Sequence, residues 1–345
     1  MGKPNTILVT GGAGYIGSHT IIELINNGFD VISADNFNNT SPKTFERIHK
    51  ITNVRVKNYD TDLTDLNATK KIFIENSSII GIIHFAAFKS VPDSVAKPII
   101  YYQNNLGALM NILECTKLFD VSNFIFSSSC SVYGNVKKLP VNELTPTGEV
   151  ECPYAYSKLV GERIIQDLVK VTPKVKTVSL RYFNPVGAHI SGLIGEVPLV
   201  PNNLVPVITQ TAIGKLKELV VYGNDYKTRD GTSIRDYIHV SDIADAHVKA
   251  LQYLKGNINC PGYDLFNLGS GNGVTVLEAI KAFEKVSGQK LNYRIGPRRA
   301  GDVDAIYSDS SKANNLLNWK PRHDIDSMMK TAWDWEQNIT HGTVK

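Results

Sequence analysis

Cysteine is scarce in this chain: there are four among 345 residues, Cys115, Cys130, Cys152 and Cys260. None forms a CxxC pair, so the sequence offers no metal site and no thioredoxin-like centre. Sparse, unpaired cysteine fits a reducing compartment, and a cytoplasmic location is expected. Long apolar runs are missing too. IIGIIHF (79–85) is far shorter than the roughly 18 residues that a membrane span requires. The opening MGKPNT lacks an apolar core, which predicts no signal peptide. Gly2 and Thr6 do satisfy the permissive myristoylation pattern, but we read the segment as a short leader into a buried strand. Charge of one sign is also lacking. The net +4 is spread along the chain, and no basic run is long enough for a nucleic-acid groove. There is no internal repeat and no low-complexity segment.

What is present is alternation. TILVTG (6–11) is a short apolar run that looks buried on both faces, which predicts a parallel strand. Helical spacing follows from Tyr15 to about Asn27, carried by Ile16, Ile21, Ile22, Leu24 and Ile25, and Gly28 supplies a stop. DVISAD then reads as a second strand ending at Asp35. Further strands are predicted at 79–87, 123–129 and 177–183, with helices at 100–118 and 154–171. This pattern argues for an α/β fold, a Rossmann-type doubly wound parallel sheet. After Asn184 the chain becomes dense in Gly and Pro. We therefore expect a nucleotide-binding domain over 1–183 and a smaller C-terminal α/β substrate domain over 184–345. Segments around 236–270 again look like α/β units and could return to the first sheet.

TGGAGYIGSHT sits between the first strand and the first helix. Gly12, Gly14 and Gly17 fit GxGxxG, and Gly11, Gly14 and Gly17 fit GxxGxxG, with Tyr15 and Ile16 inside the motif. Such a loop lets backbone approach a pyrophosphate, while the helix N-terminus offers free N–H groups and positive partial charge. Asp35, followed by Asn36, stands where a carboxylate would bond the adenosine ribose and repel a 2′-phosphate. The reading is NAD rather than NADP. Asp62, after a third predicted strand, is a candidate for the adenine and equally a candidate helix N-cap.

YAYSK (154–158) follows Cys152-Pro153, and a proline there suits the first turn of a helix. At about 3.6 residues per turn, Tyr154 and Lys158 share a face and Tyr156 does not. A neighbouring cation favours phenolate. Moving a tyrosine from about 10 to about 7 takes ~3 pKa units, or ~4 kcal/mol. Lysine and a cationic nicotinamide together are suitable sources. A phenolate beside NAD can take a proton from an alcohol whose hydride is removed.

Together TGGAGYIGSH, FSSSCSVYG (126–134) and YAYSK resemble the extended short-chain dehydrogenase/reductase family. The resemblance implies that Tyr154 is the base, that Lys158 also binds the nicotinamide ribose, and that Ser129 completes a triad. Further blocks are similar to the UDP-glucose 4-epimerase family: IHFAAFKSV (83–91), YYQNN (101–105), RYFNPVGAH (181–189), PNNL (201–204), DGTSIRDYIHVSD (230–242), FNLGSG (266–271) and RRAGDV (298–303). Nearly the whole chain takes part. The implied reaction interconverts UDP-galactose and UDP-glucose through a 4-keto sugar, with NAD regenerated.

The same resemblance implies cofactor contacts at Phe85, Ala86, Lys89, Asn104 and Tyr182. It places Lys89, Asn184, Asn203 and Leu204 on the nucleotide sugar, Arg235 and Arg299 on its diphosphate, Tyr222 against uracil and Asp302 on a ribose. A cationic pair suits a dianion. Ile306 stands where some members carry Tyr. A smaller residue there is associated with room for an N-acetyl group, so tolerance of UDP-N-acetyl sugars stays open. Members are commonly homodimers that pack the helices near 100–118 and 154–171. The stripe Leu159, Val160, Ile164, Ile165, Leu168 and Val169 suits that packing or a core equally. His239 reads as a packed structural residue. A 4,6-dehydratase would carry an Asp-Glu pair after the strand-end serine, where this chain has Cys130-Ser131. An epimerase of another UDP-sugar and a non-catalytic NAD-binding protein remain as alternatives.

Overall fold

The computed structural model describes residues 5–198, 200–256, 261–299 and 302–342. Gly2 and Cys260 lie outside them. Six strands follow one another with helices between: β1 Thr6–Thr10, β2 Asp30–Ala34, β3 Lys57–Tyr59, β4 Ile79–His84, β5 Asn123–Ser129 and β6 Lys176–Tyr182. They lie in the order β6-β5-β4-β1-β2-β3, and Tyr263–Leu268 adds a seventh strand beside β6. Every pairing is parallel.

Burial explains why these runs do not alternate in polarity. All residues of β1 and β5 are buried, because helices cover both faces of the sheet. Successive side chains still point to opposite sides. Ile7 and Val9 join a core with Ile21, Ile22 and Leu24 of the helix Tyr15–Asn26 and with Ile243 and Leu251 of the helix Val240–Gly256. Leu8 joins the opposite core with Leu109 and Ile112 of the helix Pro98–Leu118 and Ile165 of the helix Pro153–Val171. Gly161 permits close approach there: a Cβ on it would lie 2.8 Å from the Phe126 ring.

Two boundaries differ from the sequence expectation by more than one residue. The helix predicted from 100 begins at Pro98, because proline is at home in a first turn where its missing N–H is not needed. The strand predicted over 79–87 ends at His84, and Phe85 onward leaves the sheet.

The chain after residue 184 divides its elements between two places. Val240–Gly256 and Tyr263–Leu268 complete the large sheet and its helical cover. The rest builds a small sheet in which Ile234–His239 pairs with Asn184–Val186, Gly273–Thr275 and Ala305–Ile306. A further pair joins Leu219–Tyr222 to Tyr293–Gly296. Ile208, Val221, Phe283 and Trp333 fill the core beneath. Among the described residues no helix is long and apolar enough to cross a membrane. In the large sheet, strand order reverses between β1 and β4, and the crevice at their carboxyl ends is where this architecture binds ligands.

Candidate active site

The glycine loop leaves β1 at Gly11, whose φ of +69° suits glycine. Its N–H donates to the Ala34 carbonyl at 2.8 Å, tying the loop to β2. Gly17 lets the first helix rest on the loop, since a Cβ there would stand 2.3 Å from the Gly11 carbonyl oxygen. Gly14 is the N-cap and provides no side-chain cap. The positive end of that helix is therefore open to an anion. The Asp35 carboxylate closes the same corner. It accepts from the Ala13 N–H at 3.0 Å, the Phe37 N–H at 3.0 Å and the Thr40 hydroxyl at 2.8 Å. Phe85 and Ala86 form the opposite wall: a Cβ on Gly11 would lie 2.9 Å from the Ala86 nitrogen. Ile16 packs against the core, and the Tyr15 hydroxyl donates to the Gly187 carbonyl at 2.6 Å. A cradle with no room for Cβ atoms, an uncapped helix start and a carboxylate beyond β2 together fit the pyrophosphate and ribose of a dinucleotide.

Other predicted contacts have found local partners. Asn36 accepts from the Asn38 N–H at 3.2 Å, and Asp62 accepts from the N–H and hydroxyl of Thr64 at 2.9 and 2.8 Å. Among the described residues both side chains hydrogen-bond only within their own turns. Asp62 is not the helix cap that the sequence allowed. Asp65 takes that role, accepting from Asn67 and Ala68, because the helix starts at Leu66. The Asn104 amide donates to Asn105 at 2.9 Å, and Asn105 grips both backbone groups of Phe88.

The three serines of β5 diverge. Ser127 hydrogen-bonds the Tyr182 hydroxyl through its own, and its carbonyl accepts from the Lys158 ammonium at 2.7 Å. The Ser128 hydroxyl donates to Glu162 at 2.5 Å. Ser129 ends the strand and accepts from the N–H and hydroxyl of Ser131 at 3.2 and 2.9 Å. Tyr154 and Lys158 share a helix face, with the ammonium 5.9 Å from the Tyr154 ring centroid and 5.0 Å from that of Phe126. Tyr156 points outward and is 48% exposed.

Burial sets the electrostatics. It pushes the Tyr154 phenol well above its ordinary value; neighbouring Tyr182 adds to this, and a hydrogen bond with Ser129 pulls the other way. Burial also lowers Lys158 to about 8, opposed by the Glu162 carboxylate. In the protein alone, desolvation of the phenolate thus outweighs the help expected from Lys158. Burial raises the Cys130 thiol to about 12, so it is a packed residue and not a nucleophile.

A second group lies on the small sheet. Arg235 donates to Asp302 at 2.6 Å and to the Val303 carbonyl at 2.9 Å. Ile306 pairs with Arg235 in register and packs among Val132, Tyr133 and Phe183. The Arg299 guanidinium lies 4.9 Å from the Tyr222 ring, and Tyr222 is half-exposed rather than part of the core. Asn184 begins a short strand, and Asn203 and Leu204 open the helix Leu204–Ala212. Sequence reasoning missed Glu196. Its carboxylate accepts from Lys89 at 2.9 Å and from Asn203 at 3.2 Å, joining two predicted binding residues that lie far apart in the chain. Nothing in the local sequence around Glu196 signals this. His239 is packed as expected: its Nδ1 accepts from Ser241, Nε2 faces Thr331 at 3.0 Å, and the ring stacks on His323.

A nucleotide cleft at the switch point of a doubly wound sheet, with a Tyr-Lys pair beside a strand-end serine, defines an extended short-chain dehydrogenase/reductase. A family model described as GDP-mannose 4,6 dehydratase matches residues 8–332. The UDP-glucose 4-epimerase of Pasteurella multocida is 48% identical, over 97% of this chain and 98% of the relative. The chain belongs to the UDP-glucose 4-epimerase family. That of Bacillus subtilis is 45% identical over 97% of this chain and 98% of its own. The crystal structure of the Bifidobacterium longum UDP-glucose 4-epimerase in complex with NAD+ and UDP is 49% identical, with a TM-score of 0.93, covering 98% of this chain and 99% of that one.

Proposed function

We propose that this protein is an NAD-dependent isomerase that interconverts UDP-galactose and UDP-glucose by inverting C4 through a transient 4-keto sugar. The observation that carries the reading is the convergence of Ser129, Tyr154 and Lys158 at the carboxyl end of β5, in the crevice opened by the glycine loop. When bound, NAD supplies the acceptor and donor of the C4 hydride.

The chain's own residues do the rest. The cofactor is held by the glycine loop with Tyr15 and Ile16, by Asp35 and Asn36 at the ribose and Asp62 at the adenine. Phe85, Ala86, Lys89, Asn104, Lys158 and Tyr182 complete its site. Tyr154 takes the proton from the sugar 4-hydroxyl, and Ser129 bonds the same oxygen. Burial leaves a free phenol a weak acid, so base action by Tyr154 needs a second cation besides Lys158, a charge that the nicotinamide of bound NAD+ would supply. Arg235 and Arg299 receive the diphosphate. Asn184, Asn203 and Leu204 hold the nucleotide sugar, Tyr222 stacks on uracil, and Asp302 meets the ribose. The Arg235–Asp302 bond prepares both side chains, because a charged pair held at 2.6 Å needs little reordering. Ile306 faces the sugar, and its size decides whether an N-acetyl group is accepted.

The dehydratase described by the family model finds less support. Elimination needs an acid pair after the strand-end serine, and Cys130-Ser131 stand there with a thiol that burial keeps neutral. We also propose a division at residue 184, with Val240–Gly256 and Tyr263–Leu268 belonging to the first domain, a cytoplasmic role in galactose metabolism, and a homodimer. The exposed Ile99, Ile100 and Met110 of the helix Pro98–Leu118 and Tyr156 of the neighbouring helix support the last. The reaction is tested by incubating the purified protein with UDP-galactose and reading UDP-glucose with a coupled dehydrogenase. Conversion supports the assignment. No conversion with NAD+ supplied would move it to another UDP-sugar or to a non-catalytic role.

A further inference from the structure

One buried charge next to the Tyr154–Lys158 pair has no part in the proposed reaction. Glu162 lies one helical turn after Lys158, on the same face of Pro153–Val171, and is almost wholly buried. Carboxylates are rarely buried without partners. Glu162 has three bonds. One oxygen accepts from the Arg181 Nε at 2.8 Å and from the Ser128 hydroxyl at 2.5 Å; the other accepts from the Arg181 Nη2 at 2.5 Å. This fork fixes the carboxylate in one orientation. The ion pair itself is not a sufficient reason for its presence, since a buried pair is often no more stable than apolar residues of the same volume.

The connection to Lys158 runs through β5. The Ser127 carbonyl holds the Lys158 ammonium, and the next residue, Ser128, holds Glu162. We propose that Glu162 is a positioning residue: pinned by Arg181 and Ser128, its carboxylate is the negative charge against which the Lys158 ammonium stays charged and directed at Tyr154.

The other groups around Lys158 do not supply that charge. On its own helix stands Tyr154, and on β4 stands His84, which burial lowers to about 3 and keeps neutral. On β6 stand Tyr182, raised by burial to about 12, and the cationic Arg181. β5 offers the Ser127 carbonyl and the Phe126 ring face. Among the charged groups named here, Glu162 alone favours the ammonium, and it opposes the burial that lowers Lys158.

The inference rests on the Tyr154–Lys158 reading, and its consequence is a change in pH profile. A charged Lys158 supports the phenolate, so activity is present below the lysine's pKa and is lost as pH rises through it. Removing the Glu162 charge lowers that value and moves the alkaline limb down. The window therefore narrows from its alkaline side, by about one pH unit for a charge one helical turn away in a protein interior.

The test is kcat against pH for UDP-galactose with Glu162→Gln, each preparation checked for bound NAD and melting temperature. Because Glu162→Gln leaves Arg181 buried without its partner, the double variant Glu162→Gln/Arg181→Met removes both charges together. We expect both to retain NAD and to keep KM within about threefold; Glu162→Gln moves the alkaline limb down, with kcat lowered roughly tenfold there, and the double variant, which also removes the Arg181 cation, shows a smaller shift in the same direction. A folded variant whose profile is lowered uniformly, with neither limb moved, would mean that Glu162 only braces the fold, and would overturn the proposal. Tyr154→Phe run alongside separates the two failures: full turnover in that variant would sink the base assignment itself, whatever Glu162 does.

Discussion

Replacing Gly17 by alanine probes the nucleotide cradle with a single methyl group. The added Cβ would stand 2.3 Å from the Gly11 carbonyl oxygen and 3.0 Å from both the Gly11 carbonyl carbon and the Gly12 Cα. All three are backbone atoms, so no side chain can swing aside. Ordinary contact begins near 3.4 Å. The loop therefore has to open by about 1 Å, just where backbone must approach the pyrophosphate closely. Overpacking of this kind costs about 1–3 kcal/mol. If the strain falls on the bound form, NAD affinity drops by roughly 5- to 150-fold. The assay is NAD released on denaturation per mole of purified protein, with a thermal melt of each sample. Gly14→Ala is the control: its Cβ would meet only the Gly11 oxygen, at 3.1 Å, and the loss is smaller. Gly28→Ala is the second control. Nothing lies within 4 Å of its Cβ, but its φ of +78° disfavours alanine, so it lowers stability and spares NAD. Full NAD content and an unchanged melt in Gly17→Ala would refute the close-approach argument.

Two further outcomes follow from the charges. Arg235→Gln removes a charged donor worth about 1.5–3 kcal/mol, so KM for the UDP-sugar rises roughly 10- to 150-fold while NAD content stays unchanged; loss of NAD instead would move Arg235 out of the sugar site. Burial lowers His19, His84 and His239 to about 3 and His247 to about 4. These rings stay neutral in the fold, whereas an unfolded histidine takes up a proton near pH 6.5. The stability they contribute is full above that pH and is lost as pH falls toward the folded values, by about 1.4 kcal/mol per unit for each ring. The melting temperature should drop steadily from pH 7 to pH 5, and a flat profile would contradict this.

Much of the cleft was legible in the sequence because its signals are local. The glycine spacing, the Asp35 that follows it and the Tyr154–Lys158 pair each depend on a single turn or helix face. Partnerships between distant segments were not legible. Glu196 reaches Lys89 across 107 residues and Asn203 across seven, and only the folded loop brings both to it. Glu162 was within reach of the helical spacing, one turn beyond Lys158. Its meaning needed β6, which delivers Arg181, and the inward turn of Ser128. The Tyr154 phenol is the clearest case. The nearby cation could be read from spacing, but the depth of burial that outweighs it depends on the whole crevice. Asp62 lost its alternative role as a cap for a plainer reason: several acids crowd DTDLTDL, and the helix start selects Asp65.

We propose above that this enzyme carries its own NAD and uses Tyr154 as its base. Wild-type protein and Tyr154→Phe should be compared on UDP-galactose, with no NAD added before the coupling step and with bound NAD measured in both. Conversion is expected of the wild type, and the variant should keep its NAD but turn over about a hundredfold or more slowly, the usual contribution of a positioned general base. Equal turnover by the two proteins would contradict it.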